Sequence, residues 1–154
     1  MSTAKQLTYF RAARPRDVLS PIKTVDEFVA QFLPGIKVSD TQRLLLHDVL
    51  FEKVSHQTRC FAYCGDAWIN LCHFVHMSAS WDRPRPNFRL ALGPNQHLYR
   101  HGVANGLPIE RCAEHKGATV VEALAWRVLN INVRQGFRFA ETMLGLEGQN
   151  IKTL

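Results

Sequence analysis

Apolar positions along this chain change period several times, and the changes divide it into elements. Val25, Phe28, Val29 and Phe32 fall at i, i+3, i+4 and i+7. That spacing predicts one helix face, opened by the capping box Thr24-Val25-Asp26-Glu27 and stopped by Pro34-Gly35. Ser39-Asp40 predicts a second helix start, from which Leu45–Val49, Leu46–Leu50 and Leu50–Val54 stack four apart, to about Val54. Residues 59–64 read as a short strand or loop, and Gly65-Asp66 as the head of a third helix capped by Asp66. Trp68, Leu71, Cys72 and Val75 form its apolar stripe. Asp82-Arg83-Pro84-Arg85-Pro86 ends it, because proline cannot continue a helix and biases its predecessor to extended geometry.

Beyond residue 86 the period shortens. Phe88 to Leu92 alternates like a half-buried strand, Gly93-Pro94-Asn95 turns it, and residues 96–107 hold room for another short strand. Residues 109–115 suit a helical turn or two ended by Gly117. Thr119 and Glu122 form a second capping box, opening a helix with Val121, Leu124, Ala125 and Val128 inward. Ile131 and Val133, then Phe137 and Phe139, alternate across Gln135-Gly136 as in a hairpin. The fold class expected is therefore α+β: a single compact domain with several helices packed on a small antiparallel sheet. Its expected limits are a basic N-terminal arm over 1–23, the domain over 24–140, and a C-terminal tail over 141–154.

At 154 residues and 46% hydrophobic, the chain is sized to bury a core without metal or disulfide. No apolar run approaches the ~20 residues of a membrane span. The first residues lack the apolar centre of a secretory signal, and Pro15 and Pro21 interrupt any long amphipathic leader helix. A cytoplasmic, intracellular and reducing setting with free thiols is expected. The net charge of +6 is unevenly spread. Residues 1–23 carry Lys5, Arg11, Arg14, Arg16 and Lys23 against Asp17, and residues 83–101 carry Arg83, Arg85, Arg89 and Arg100 with no acid. Arginine clamps phosphate or carboxylate bidentately, and Trp81 and Phe88 are interleaved with these cations for base stacking.

The densest candidate chemistry lies in residues 56–81. Cys60 and Cys64, with Cys112 and His115, have the spacing of two ligand pairs for a tetrahedral zinc ion. His73 and His76 are three apart on the face of Ile69, and His97 and His101 bracket Leu98-Tyr99-Arg100. Two such pairs can bind a metal or pass protons. Cys64-Gly65-Asp66-Ala67-Trp68 resembles the nucleophile segment of papain-like cysteine peptidases, Cys-Gly-x-Cys-Trp at the head of a helix. The resemblance implies a thiolate at the position of Ala67 and a base such as His115, but alanine stands where that family has its cysteine. His56-Gln57-Thr58 and His76-Met77-Ser78 are similar to the paired His-x-Thr/Ser motifs of 2H phosphoesterases. There is no P-loop, Gly-x-Gly-x-x-Gly, Gly-x-Ser-x-Gly or paired acidic cluster.

These features predict a small basic binding protein of viral, phage or ribonucleoprotein-associated type, without a membrane partner. It would contact nucleic acid or an acidic protein surface through Arg83, Arg85, Arg89, Arg100 and Trp81, with Arg14 and Arg16 in support, and require no cofactor. The alternatives are a relative of the papain-like peptidases with Ala67 at the nucleophile position, or a zinc-stabilised domain.

Overall fold

The computed structural model describes residues 19–79 and 94–146, and among them every regular element is a helix. In chain order these are α1 (Val25–Phe32), α2 (Asp40–Phe51), α3 (His56–Ala79), α4 (Pro94–Ala104), α5 (Glu114–Ile131) and α6 (Val133–Leu144). The expected antiparallel sheet is overturned: the described residues contain no strand. Residues 1–18 of the expected basic arm and the strand expected at Phe88–Leu92 fall outside the described residues.

The front of the chain folds as its patterning directs. Thr24 Oγ1 accepts from the Glu27 amide at 3.1 Å, and Ser39 Oγ accepts from the Gln42 amide at 3.2 Å, so both predicted caps hold helix starts. Phe28 and Phe32 are buried and meet Phe139 of α6 at centroid distances of 6.3 and 5.0 Å. Gly35 turns the chain at a φ of 74°, where a side chain would be strained. Residues 19–22 then run beside the end of α4, with the Leu19 and Ile22 amides donating to the Ala104 and Gly106 carbonyls.

The corrections begin at α3. This helix starts ten residues earlier than Asp66, at His56, and the segment expected to be a strand or loop at 59–64 is helical. Ser55 supplies the cap, its Oγ accepting from the Thr58 amide at 3.1 Å. Cys72 is buried and Trp68 and Val75 are half-buried, as their stripe predicts, but Leu71 is 53% exposed and Ile69 is buried instead. The Trp68 indole N–H donates to the Gly136 carbonyl at 3.0 Å and ties α3 to α6.

α5 is the centre of the molecule. It packs against α2, α3, α4 and α6 and buries residues on nearly every side, from Gly117 and Ala118 through Val128. Its start is Glu114, so Thr119 opens nothing: Thr119 Oγ1 donates to the His115 carbonyl one turn back. Residues 96–104, expected in a strand, belong to α4 instead, with Pro94 at the first helical position, where the missing amide costs nothing. The expected hairpin at 131–139 is the corner between α5 and α6. Asn132 ends the first helix and caps the second, its Oδ1 accepting from the Gln135 amide at 2.9 Å. The buried set Gly136, Phe139, Ala140 and Met143 has helical period, which overrides the two-residue alternation of Phe137 and Phe139. α6 continues to Leu144, and Leu146 is buried after a Gly145 in the left-handed conformation.

Candidate functional site

Both histidine pairs foreseen in the sequence come together at one junction. His73 and His76 lie in the last two turns of α3, and on α4 His97 is near the start and His101 in the last turn. Glu141 and the Leu144 carbonyl reach them from α6. His76, His97 and His101 are buried and His73 is half-buried. The His97 and His101 rings are 4.4 Å apart between centroids. His97 Nε2 donates to the Leu144 carbonyl at 2.7 Å, which fixes its neutral form as the Nε2–H tautomer. His76 Nε2 stands 3.7 Å from a Glu141 carboxylate oxygen, beyond hydrogen-bond reach.

Burial resists charge at this junction. It pushes His73 and His101 down to about 4, helped by the proximity of His97 to both and of His76 to His73. It also lowers His76 and His97, although the Leu144 carbonyl partly offsets the effect at His97. The Cys72 thiol is pushed up to about 12 by burial and the neighbouring Glu141 charge, so it is an inert core thiol. Glu141 escaped notice because residues 141–154 read as a tail. Its position one residue from the buried Ala140, on a helical face, is the signal that could have found it.

The other sequence-based sites are not assembled in this way. Cys60 and Cys64 are exposed one turn apart on α3, with Cys60 Sγ 3.6 Å from His56 Nε2. Cys112 lies in the connection before α5 and His115 is exposed in its first turn. Among the described residues, no three His, Cys, Asp or Glu side chains are placed to hold a metal ion, and the expectation of zinc binding is corrected accordingly. Ala67 sits in the interior of α3, three turns from its start, so the amide dipole that activates a peptidase thiol at a helix head does not reach it. His56 and His76 are separated by about 30 Å of helix at 1.5 Å per residue, too far to act as a phosphoesterase pair.

A second polar pair spans α3 and α5. Glu122 is pushed up to about 8 by burial, by a hydrogen bond with the Asp66 carboxyl and by that group's charge. Near neutral pH Glu122 therefore keeps its proton. Arg127, buried on α5, lies over the Phe61 ring at 4.7 Å and donates to Gln42 Oε1 at 2.7 Å. Arg111 caps the end of α2, its Nη2 donating to the Leu50 and Glu52 carbonyls at 2.7 and 3.3 Å. These arginines hold the bundle together and are not free for a ligand.

Of the predicted contact residues, Arg100 is described and exposed on α4, while Arg14, Arg16, Trp81, Arg83, Arg85 and Arg89 lie outside the described residues. The described residues hold eleven Lys and Arg against ten Asp and Glu, a net of +1. Residues 1–18 carry +3 and residues 80–93 carry +2 of the total of +6. On α3, Tyr63 is 81% exposed one turn from the exposed Arg59, and Phe74 is 58% exposed farther along. No helix among the described residues is long and apolar enough to cross a membrane. No protein-family model, curated protein or solved structure matches the chain.

Proposed function

We propose that the chain is a nucleic-acid-binding protein whose helical bundle is the scaffold and whose residues 1–18 and 80–93 supply the phosphate contacts. The observation that carries this reading is the partition of charge: the bundle is close to neutral, and five of the six excess positive charges belong to those two segments. A scaffold with cations tied up in Arg43–Asp26, Arg111 and Arg127 contacts leaves the arginine-rich segments as the source of any long-range attraction for a polyanion. Arg83, Arg85 and Arg89 alternate with Pro84, Pro86 and the aromatic Trp81 and Phe88, a composition suited to tracking single-stranded backbone while stacking on bases. The exposed Tyr63 beside Arg59 adds a second aromatic–cation pair of the same kind.

The test is fluorescence anisotropy with a labelled mixed-sequence single strand at several salt concentrations. If Arg83, Arg85 and Arg89 each neutralise a phosphate, log K falls with log salt at a slope near −2, from about −0.7 per contact on single strands. Replacing Arg83 and Arg85 with Glu removes the binding while leaving the helical circular dichroism unchanged. A salt-independent response, or binding that survives the double charge reversal, refutes the proposal. Binding to polyglutamate without binding to the oligonucleotide refutes it in favour of an acidic protein surface.

A further inference from the structure

The histidine junction has a use that does not depend on what residues 80–93 contact. α3 and α4 make little direct backbone approach to each other, yet their imidazoles meet. His73, His76, His97, His101 and Glu141 fill the place where α3, α4 and α6 converge, while α4 also packs along α5 and α6. From α3 this group receives Cys72, whose thiol is neutral. α6 contributes Glu141 and the Leu144 carbonyl, with Arg134 and Arg138 exposed on it. The ionisable groups of α5 are engaged elsewhere or lie at its exposed start: Glu122 with Asp66, Arg127 with Gln42 and Phe61, and Glu114, His115 and Lys116 in the first turn. Tyr99 of α4 lies against Gly117. Among the described residues, Glu141 is the carboxylate that reaches the four histidines.

We propose that this junction is a proton-operated latch, which docks α4 onto α3 and α6 while the four imidazoles are neutral and releases α4 when they take up protons in mildly acidic solution. One proton is tolerated, because an imidazolium at His76 gains the Glu141 carboxylate. The next is not. His97 and His101 are too close to be charged together in a buried setting, and a charged His73 meets His97 as well. The released helix exposes all four rings to water, where each titrates normally.

The direction follows from proton binding in the two states. His73 and His101 hold protons less readily when docked than when released, so the released state binds more of them as pH falls. Docking is complete above the ordinary histidine value of about 6.5 and is eroded between there and about 4. Each of the two histidines moves the equilibrium by up to roughly tenfold per pH unit in that window.

Hydrogen exchange measured by mass spectrometry on the full chain, with EDTA present, tests the latch. Peptides from α4 are compared with peptides from α5 in the same sample at pH 7.5 and 5.0, which cancels the intrinsic pH dependence of exchange. The expected result is a loss of α4 protection, relative to α5, of about 100-fold or more at pH 5.0. The variant His73→Gln/His101→Gln is expected to shrink that relative loss by at least tenfold. Parallel changes in the two helices, or an unaltered loss in the variant, overturn the proposal. Should the variant fail to fold, imidazole titration of the wild-type chain by NMR decides instead. Two or more of the four histidines titrating below about 5, together with the loss of α4 protection in the wild-type chain, support the latch, and fewer than two overturn it.

Discussion

Gly65 tests whether the contact between α3 and α5 is set by backbone proximity. A Cβ built on Gly65 would lie 1.7 Å from the Glu122 carbonyl oxygen and 2.5 Å from its carbon. Ordinary van der Waals contact starts near 3.4 Å. Relief therefore requires the helices to separate by roughly 1.5 Å, because both partners are backbone and no rotamer can move aside. In an exposed helix, Gly→Ala stabilises by about 0.5–1 kcal/mol. Here the separation unpacks Ala62 and Ile69, which are buried on the same face. Gaps of 0.5–1 Å already forfeit a quarter to a half of a dispersion contact. Overpacking typically costs about 1–3 kcal/mol, and a backbone clash lies at the top of that range, so less the helical gain Gly65→Ala is expected to destabilise by about 2–2.5 kcal/mol net. Gly136→Ala meets the Leu129 Cα at 2.7 Å and should cost about 1–2 kcal/mol. Gly117→Ala meets only the edge of the half-buried Tyr99 ring, at 2.5 Å, and should cost roughly 1 kcal/mol or less because that side chain can tilt. Urea unfolding followed by circular dichroism at pH 7.5 ranks the three through their midpoints at unchanged m-value. A Gly65→Ala protein as stable as the wild type, or less perturbed than Gly117→Ala, refutes the reasoning.

Two further outcomes follow from ionisable groups. Glu122 holds its proton more tightly folded than unfolded, so its favourable contribution is complete below the ordinary value of 4.5 and fades as pH rises toward about 8. Glu122→Gln keeps a hydrogen-bonding partner for Asp66 without the charge. It should unfold at higher urea than the wild type at pH 8.5 by about 1–2 kcal/mol, a figure reduced for the partial solvent access of the pair, with the difference closing near pH 5. A pH-independent difference counts against a proton retained on Glu122. Thiol titration should show Cys60 and Cys64 reacting quickly in the folded chain and Cys72 only on unfolding. Rapid modification of Cys72 at pH 8 would contradict its burial between α3 and α6.

The first two helices were legible because their caps and stripes are local: Thr24 with Glu27, and Ser39 with the leucines that follow. The rest was misread at glycines. Gly65, Gly117 and Gly136 were taken as a helix head, a helix end and a hairpin turn, yet each lies inside a helix where a neighbouring chain leaves no room for a Cβ. Glycine as punctuation and glycine as a close contact look the same in one sequence, since the second depends on which segment packs against it: Leu129 on Gly136, Tyr99 on Gly117 and the distant Glu122 on Gly65. Among the described residues, the glycines with positive φ, Gly35, Gly106 and Gly145, are the true breaks. The histidine pairs were visible by spacing, but their convergence was hidden for the same reason: it needs α4 and α6, both misassigned. The extra charge at 1–18 and 80–93 was fully legible, because charge partition needs no fold.

Asn132 has a mechanical consequence. It is the whole connection between α5 and α6, so the central helix and the helix that carries Glu141, Phe139 and the Trp68 acceptor are two arms of one rigid bracket. The seven residues 33–39 that separate α1 from α2, with Pro34 and Gly35 exposed, give the chain slack there by contrast. A tag, a fluorophore or a split point placed at Gly35 leaves the bracket intact. The same insertion at Asn132 would turn α6 about its own axis and misalign the aromatic core and the histidine junction in a single step.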